Sequence, residues 1–224
     1  MKQTCAFTRL DFMTIKPFLT LKNVIIFSLV FAFIGYGTQN PYMVVSMLMM
    51  YGTIYISYPF AVGDKNGIDT LYAVLPLQRR QVVAGRYCFA LTVNLLTAGA
   101  ALGVSALLMT LMKQALDIRV TLLVILISFF IFTLIEAVQL PIYFKMGYAK
   151  AKFLSMLPLL GFPAAVVGAA SLLQQEKMAP LLEKTGEWIA QHVLASTAAA
   201  IIVWCIMMAA SCALAMRFYQ RRDF

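Results

Sequence analysis

The stretch "ISFFIFTLIEAVQLPIYF", residues 127–144, holds one acidic side chain, Glu136, and no basic one, in the middle of an apolar run. Extended back to Ile118, the run is long enough to cross a bilayer, which takes about 20 apolar residues. A carboxyl group at that depth is expensive, so it faces a bundle interior or water, or stays protonated. Two readings of Glu136 stand side by side. It is a neutral group hydrogen-bonded to a neighbouring helix, or a polar point on a substrate pathway. Pro141, one turn further on, is expected to kink the run near its end.

The rest of the chain has the same character. Of its 224 residues 62% are hydrophobic and 12% charged, against about 25% charged in a soluble domain. The mean hydropathy is +0.85. These values define a polytopic, all-α membrane protein. Residues 1–224 form a single membrane domain, because no polar block is long enough to make a second one. Six spans are predicted, at residues 23–38, 42–62, 87–112, 118–144, 153–174 and 192–216. The first is followed by "GTQNPY" with no small-residue cleavage site, so it is expected to be a retained span.

Charge orients these spans. The N-terminal segment (Lys2, Arg9, Lys16, Lys22), the second loop (Lys65, Arg79, Arg80, Arg86), the fourth loop (Lys145, Lys150, Lys152) and the C-terminus (Arg217, Arg221, Arg222) hold fourteen of the 18 Lys and Arg residues. The other side holds Lys113, Arg119, Lys177 and Lys184. The positive-inside rule therefore predicts both termini in the cytoplasm. The net charge of +9 is explained by topology and anionic headgroups, and a nucleic-acid partner is not expected.

Two flanking segments are amphipathic. In "LDFMTIKPFLTLKN", residues 10–23, Leu10, Phe12, Ile15, Phe18 and Leu19 stand among basic residues. This suits a helix lying in the cytoplasmic interface, or a helical extension of the first span. In "QQEKMAPLLEKTGEWIAQ", residues 174–191, Leu181, Leu182, Thr185, Trp188 and Ile189 share a helical face. This suits a short external helix, with Trp188 at headgroup level, that caps a pathway or serves only as a surface anchor.

Several chemistries are excluded. No glycine is followed by lysine, so the chain has no GxxxxGK[ST] phosphate loop. The sole histidine, His192, opens the last span, and no HExxH is present. Neither a metalloprotease nor a rhomboid-like serine protease can be assembled from these residues. Cys5, Cys88, Cys205 and Cys212 form no CxxC pair and read as packing residues. Gly99 and Gly103 make a GxxxG, and Gly161, Ala164 and Gly168 give a similar small-residue face for close helix approach.

The exception to the oil is "GDKNGIDTLYAVLPLQRRQVVAGRY", residues 63–87. Ile68, Leu71, Tyr72 and Leu75 follow the i, i+3, i+4, i+7 pattern of an amphipathic helix. Asp69 lies off that stripe, and Pro76 ends it. A new helix is predicted from Leu77–Gln78 through Arg79, Arg80 and Val83 directly into the third span. A short helix rigidly joined to two spans can transmit a push from a soluble partner. The blander reading is a loop helix that only anchors the hairpin.

Here the residues resemble a family. Within "DTLYAVLPLQRRQVVAGRY", Leu75, Pro76, Arg79, Val82, Val83 and Tyr87 match the "LPxSRxxIVxxKY" pattern that follows the second span in small bacterial ABC transporter permeases of the type-2 exporter class. In "LPIYFKMGYAKAKF", Leu140, Pro141, Lys145, Gly147 and Lys150 match that family's pattern after span four. Gln78 departs from the usual Ser or Thr helix cap, a loss of about 1 kcal/mol, and Arg86 replaces the usual Lys. The resemblance implies a permease subunit of an ATP-driven exporter in the bacterial cytoplasmic membrane. It implies a second copy or a paralogous permease as partner, within membrane lipid. It also implies a separate cytoplasmic ATPase that carries the ATP and Mg this chain has no site for. The helix around Ile68, Asp69, Leu71, Tyr72, Leu75 and Pro76, with Arg79 at its rim, would be the ATPase-coupling element. The substrate implied is a peptide or another amphipathic compound. A secondary transporter or channel should show repeats and several polar intramembrane groups. A passive immunity or scaffold protein needs neither pathway nor coupling helix.

Overall fold

The computed structural model describes residues 2–17, 20–65, 79–114, 117–173 and 192–221. Among these the chain is helical, with no strand. The elements are α1 (Lys2–Ile15), α2 (Leu21–Gly37), α3 (Pro41–Lys65), α4 (Arg79–Leu111), α5 (Ile118–Leu173) and α6 (Val193–Gln220). Four stretches are long and apolar enough to cross a membrane: Pro41–Lys65, Arg79–Leu111, Ile118–Gly161 and Ala195–Gln220. Lys22–Gly37 is a shorter apolar helix. The protein is a multi-pass membrane protein.

Local chemistry sets the helix borders. Pro17 follows the end of α1, since proline disfavours helix in the residue before it. The α2–α3 turn is three residues long. Gln39 takes a left-handed φ of 54°, and Asn40 accepts the Tyr42 N–H on Oδ1 at 3.2 Å, capping a helix that Pro41 opens at its favoured first position. A Cβ on Gly35 would collide with Val44, so this tight reversal requires glycine there. Asp117 caps α5 in the same way, its Oδ1 accepting the N–H groups of Arg119 and Val120 at 3.0 and 3.2 Å.

The predicted loop between residues 145 and 152 is replaced by a single residue. Helix runs up to it and away from it, and only Gly147 (φ 73°, ψ 169°) is non-helical. The chain reverses there. Gln139 Nε2 donates to the Ser155 carbonyl at 2.7 Å, and the Ser155 hydroxyl donates to Tyr143 at 2.7 Å. In a continuous helix residues 139 and 155 would stand about 24 Å apart. α5 is thus two arms, 118–146 and 148–173, folded back on one another. Pro141 does not break the helix; the bend falls six residues later, where glycine alone tolerates the backbone.

The larger core cluster joins Phe7 and Ile15 of α1 to Tyr55, Ile56 and Phe60 of α3, Val83, Phe89 and Val93 of α4, Leu140 and Phe144 of α5, and Ala215 and Tyr219 of α6. A smaller cluster of Val44, Val45, Leu48, Ala101 and Leu108 fills the opposite end, near the α2–α3 turn. Large apolar side chains also point outward, among them Leu95, Leu107, Phe153, Leu160 and Ile202, as expected of a molecule solvated by lipid. A Cβ on Gly99, Gly103 or Gly161 would meet nothing within 4 Å, so these three glycines lie on the outside of this chain. α1 is a helix separate from α2, with Phe7, Asp11 and Ile15 buried against the bundle and Leu10 and Met13 exposed.

Candidate functional site

One end of the bundle collects the end of α3, the start of α4, the α5 reversal, the end of α6 and one face of α1. Asp64, near the end of α3, accepts the Ala149 N–H on Oδ2 at 2.8 Å. That N–H is among the unpaired donors that open the second arm of α5, where a carboxylate is favoured by the helix dipole. Arg79, the first residue of α4, donates from Nη1 to the carbonyls of Tyr219 and Gln220 at 3.1 and 2.8 Å. Those carbonyls belong to the last turn of α6, where a cationic donor is favoured by the helix dipole. Lys145 lies over the Phe218 ring at 5.1 Å. Residues 66–78 therefore leave a helix tied to α5 and return into a helix tied to α6. Ile68, Asp69, Leu71, Tyr72, Leu75 and Pro76 lie outside the described residues, as does the amphipathic stretch 174–191 with Trp188.

α1 docks on the same end of α4 through contacts that repeat along both helices. Thr8 donates to the Gly85 carbonyl at 3.3 Å. A Cβ on Gly85 would meet Phe7 at 3.0 Å. Asp11 Oδ2 lies 3.1 Å from Arg86 Nε, with the two side chains 1% and 4% exposed. Phe12 meets Phe89 edge to face at 4.9 Å. The guanidinium of Arg86 also lies 4.3 Å above the Phe60 ring on α3. Burial pushes the Asp11 carboxyl up to about 6, against the opposing pull of Arg86. Arg86, counted from the sequence as a loop cation, is instead an interior group of a helix.

The third part of the site lies mid-bundle. Glu136 is 1% exposed. It accepts the Thr53 hydroxyl on Oε1 at 3.0 Å and Asn94 Nδ2 on Oε2 at 2.6 Å. Three helices are thereby joined through one carboxyl group. Asn94 Oδ1 is buried with no hydrogen-bond partner among the described residues. Next to this node, Tyr87 and Ser211 share a hydrogen bond of 2.6 Å, and Ser211 donates to the Ala137 carbonyl at 2.5 Å, which brings in α6. A Cβ on Gly52 would meet Thr97 at 2.8 Å, so α3 and α4 approach closely beside the node. Glu136 lines neither of the two larger cavities.

Asn94, Thr53, Asp11 and Asp64 were not singled out from the sequence. Asn94 was the most accessible of them, as an amide inside an apolar run. Among the described residues no three His, Cys, Asp or Glu side chains are grouped to hold a metal.

A multi-pass helical bundle without a phosphate loop, with a connecting segment held at both ends beside its two termini, has the build of the membrane subunit of a two-component transporter. The family model for the ABC-2 family transporter protein matches residues 8–220. The chain belongs to that family, and it is a membrane permease component of an ABC transporter, whose family implies a cytoplasmic ATPase partner. No curated protein and no solved structure matches the chain.

Proposed function

We propose that this chain is the permease subunit of an ATP-driven exporter and pairs with a second copy of itself in a bacterial cytoplasmic membrane. It has six spans and cytoplasmic termini, with ATP and Mg held by a separate ATPase. The family match over residues 8–220 carries this reading. The reversal at Gly147 supports two spans within α5, and the fourteen-to-four charge distribution supports the orientation. The coupling element is the segment holding Ile68, Asp69, Leu71, Tyr72, Leu75 and Pro76, with Arg79 as its downstream anchor. A push on it reaches the second arm of α5 through Asp64 and α6 through Arg79. Glu136 acts as the brace that makes α3, α4 and α5 respond together. The substrate is a peptide or another amphipathic compound.

Co-purification of the chain with its ATPase from detergent tests the reading. Buried aromatic anchors carry most interface energy, so Tyr72→Ala should weaken ATPase capture by about 2 kcal/mol, roughly thirtyfold in affinity. Transport into liposomes by the chain without any ATPase would overturn the proposal.

A further inference from the structure

α2 and α3 enclose a cleft that shares only Tyr55 with the core described above. Its volume is about 440 Å³, within the range of small-molecule sites. Phe27 and Phe31 are one turn apart on α2. Tyr51, Tyr55 and Tyr58 recur at i, i+4 and i+7 on α3. All five rings line the cleft, with Asn23 at one end. The rings are arranged as a set. Phe27 lies 4.4 Å from Tyr51, Phe31 meets Tyr51 edge on at 6.0 Å, Tyr51 meets Tyr55 edge on at 4.8 Å, and Tyr55 stacks on Tyr58 at 5.3 Å. The hydroxyls of Tyr51 and Tyr55 share a hydrogen bond of 2.7 Å, so this part of the wall is oriented. Phe27 and Ile54 are 40% and 38% exposed, which leaves the cleft open to a ligand arriving along the membrane.

The lining contains no Lys, Arg, Asp or Glu. An anion would find no guanidinium or ammonium there, and the ring faces would repel it. A positive charge on an apolar body meets aromatic rings from both helices in a medium of low dielectric, where cation–π attraction is strongest. We infer that the α2–α3 cleft is a binding site for hydrophobic organic cations. This deepens the permease reading by naming a substrate class, and it rests on that reading only for the claim that the bound cation is exported.

The test uses two ions of nearly the same shape and opposite charge, on the purified full-length chain in phosphatidylglycerol nanodiscs with no ATPase present, each affinity being corrected for the ion's concentration at the lipid, measured on empty discs of the same composition. Tetraphenylphosphonium should bind saturably, and tetraphenylborate at least about tenfold more weakly, the scale of one desolvated cation–π contact. The double variant F27L/Y51L should lose about tenfold or more in phosphonium affinity, while Tyr51→Phe, which keeps the ring, should stay within about threefold of the parent. Equal affinity for the two ions would overturn the inference, and so would an unchanged affinity in the folded double variant. The comparison of ions on the unaltered chain needs no variant. In phosphatidylcholine discs, loss of phosphonium binding would assign the same onium site to a lipid headgroup and reject the exported cation; retention supports the cation. Because no step depends on ATP, a negative result here leaves ATPase capture, the test of the permease reading, standing independently.

Discussion

Asp11 sets up an inverted response to acid. Its carboxyl group is raised from the ordinary 3.8 to about 6 because docking of α1 takes it out of water, and Arg86 only partly offsets that. A raised value in the docked state means that docking takes up a proton. The contribution of Asp11 is therefore greatest below pH 4 and is lost as pH rises through 6. At about 1.4 kcal/mol for each factor of ten, the ionised form weakens docking by about 3 kcal/mol relative to the neutral one. α1 still docks at pH 7, because burying Phe7 and Ile15 contributes about 2 kcal/mol each and outweighs the penalty. Hydrogen exchange along α1 in nanodiscs, corrected for intrinsic rates, reads this directly. Protection of residues 7–15 should rise by up to about 3 kcal/mol between pH 7.5 and pH 4. Asp11→Asn should flatten that dependence. At pH 7 it should strengthen docking, by up to about 3 kcal/mol, because the amide has no charge to take out of water. Protection that falls on acidification, or a pH response that survives in Asp11→Asn, would refute the reasoning.

Other perturbations follow from the same contacts. Glu136→Ala leaves the buried Asn94 amide without its acceptor, while the Thr53 hydroxyl keeps the Met49 carbonyl at 3.3 Å, and should lower stability by about 1–3 kcal/mol in thermal unfolding in detergent. Glu136→Gln should be nearly silent, since the buried Asn94 Oδ1 is available to accept the new amide; a Gln variant as unstable as Ala would remove the bracing role. Gly147→Ala forces a side chain into a backbone region reserved for glycine and should destabilise by about 1–3 kcal/mol, with increased exchange at Gln139 and Ser155; an unchanged melting temperature would show that the reversal is not fixed there. A cysteine placed at Gln78 should resist a membrane-impermeant thiol reagent in whole cells, while one at Glu183 should react; the opposite pattern would invert the topology.

The apolar runs located the helices within a few residues, because lipid solvation demands long, uninterrupted backbone pairing. The helix predicted through Arg79, Arg80 and Val83 into the third span is observed, while its expected start at Leu77–Gln78 lies outside the described residues. What the sequence could not display was pairing at a distance. Arg86 reads as one more loop cation until Asp11 is found beside it, 75 positions away in the chain. Glu136 was legible as an oddity, but its two donors sit on other helices, and nothing in a hydropathy pattern links Thr53 to Asn94. The cluster Lys145, Lys150 and Lys152 suggested a polar loop. Helix accommodates lysine well, so one left-handed glycine was enough to turn the chain and no loop was required. Pro141 drew attention away from it, although the backbone keeps helical dihedral angles past the proline as far as Gly147.

The anchoring of Asp64 and Arg79 has an entropic consequence. A connector whose ends drift must be gathered before it can fit a partner, and that loss of freedom is subtracted from the affinity. Here the residue before Lys65 is tied to Ala149 and the residue that follows Gln78 is tied to the last carbonyls of α6. The closure of the segment 66–78 is thus established when the bundle folds, and the soluble partner proposed above would meet ends that are already a fixed distance apart. Releasing either tie, by Asp64→Ala or Arg79→Ala, would transfer that ordering cost from folding to recognition.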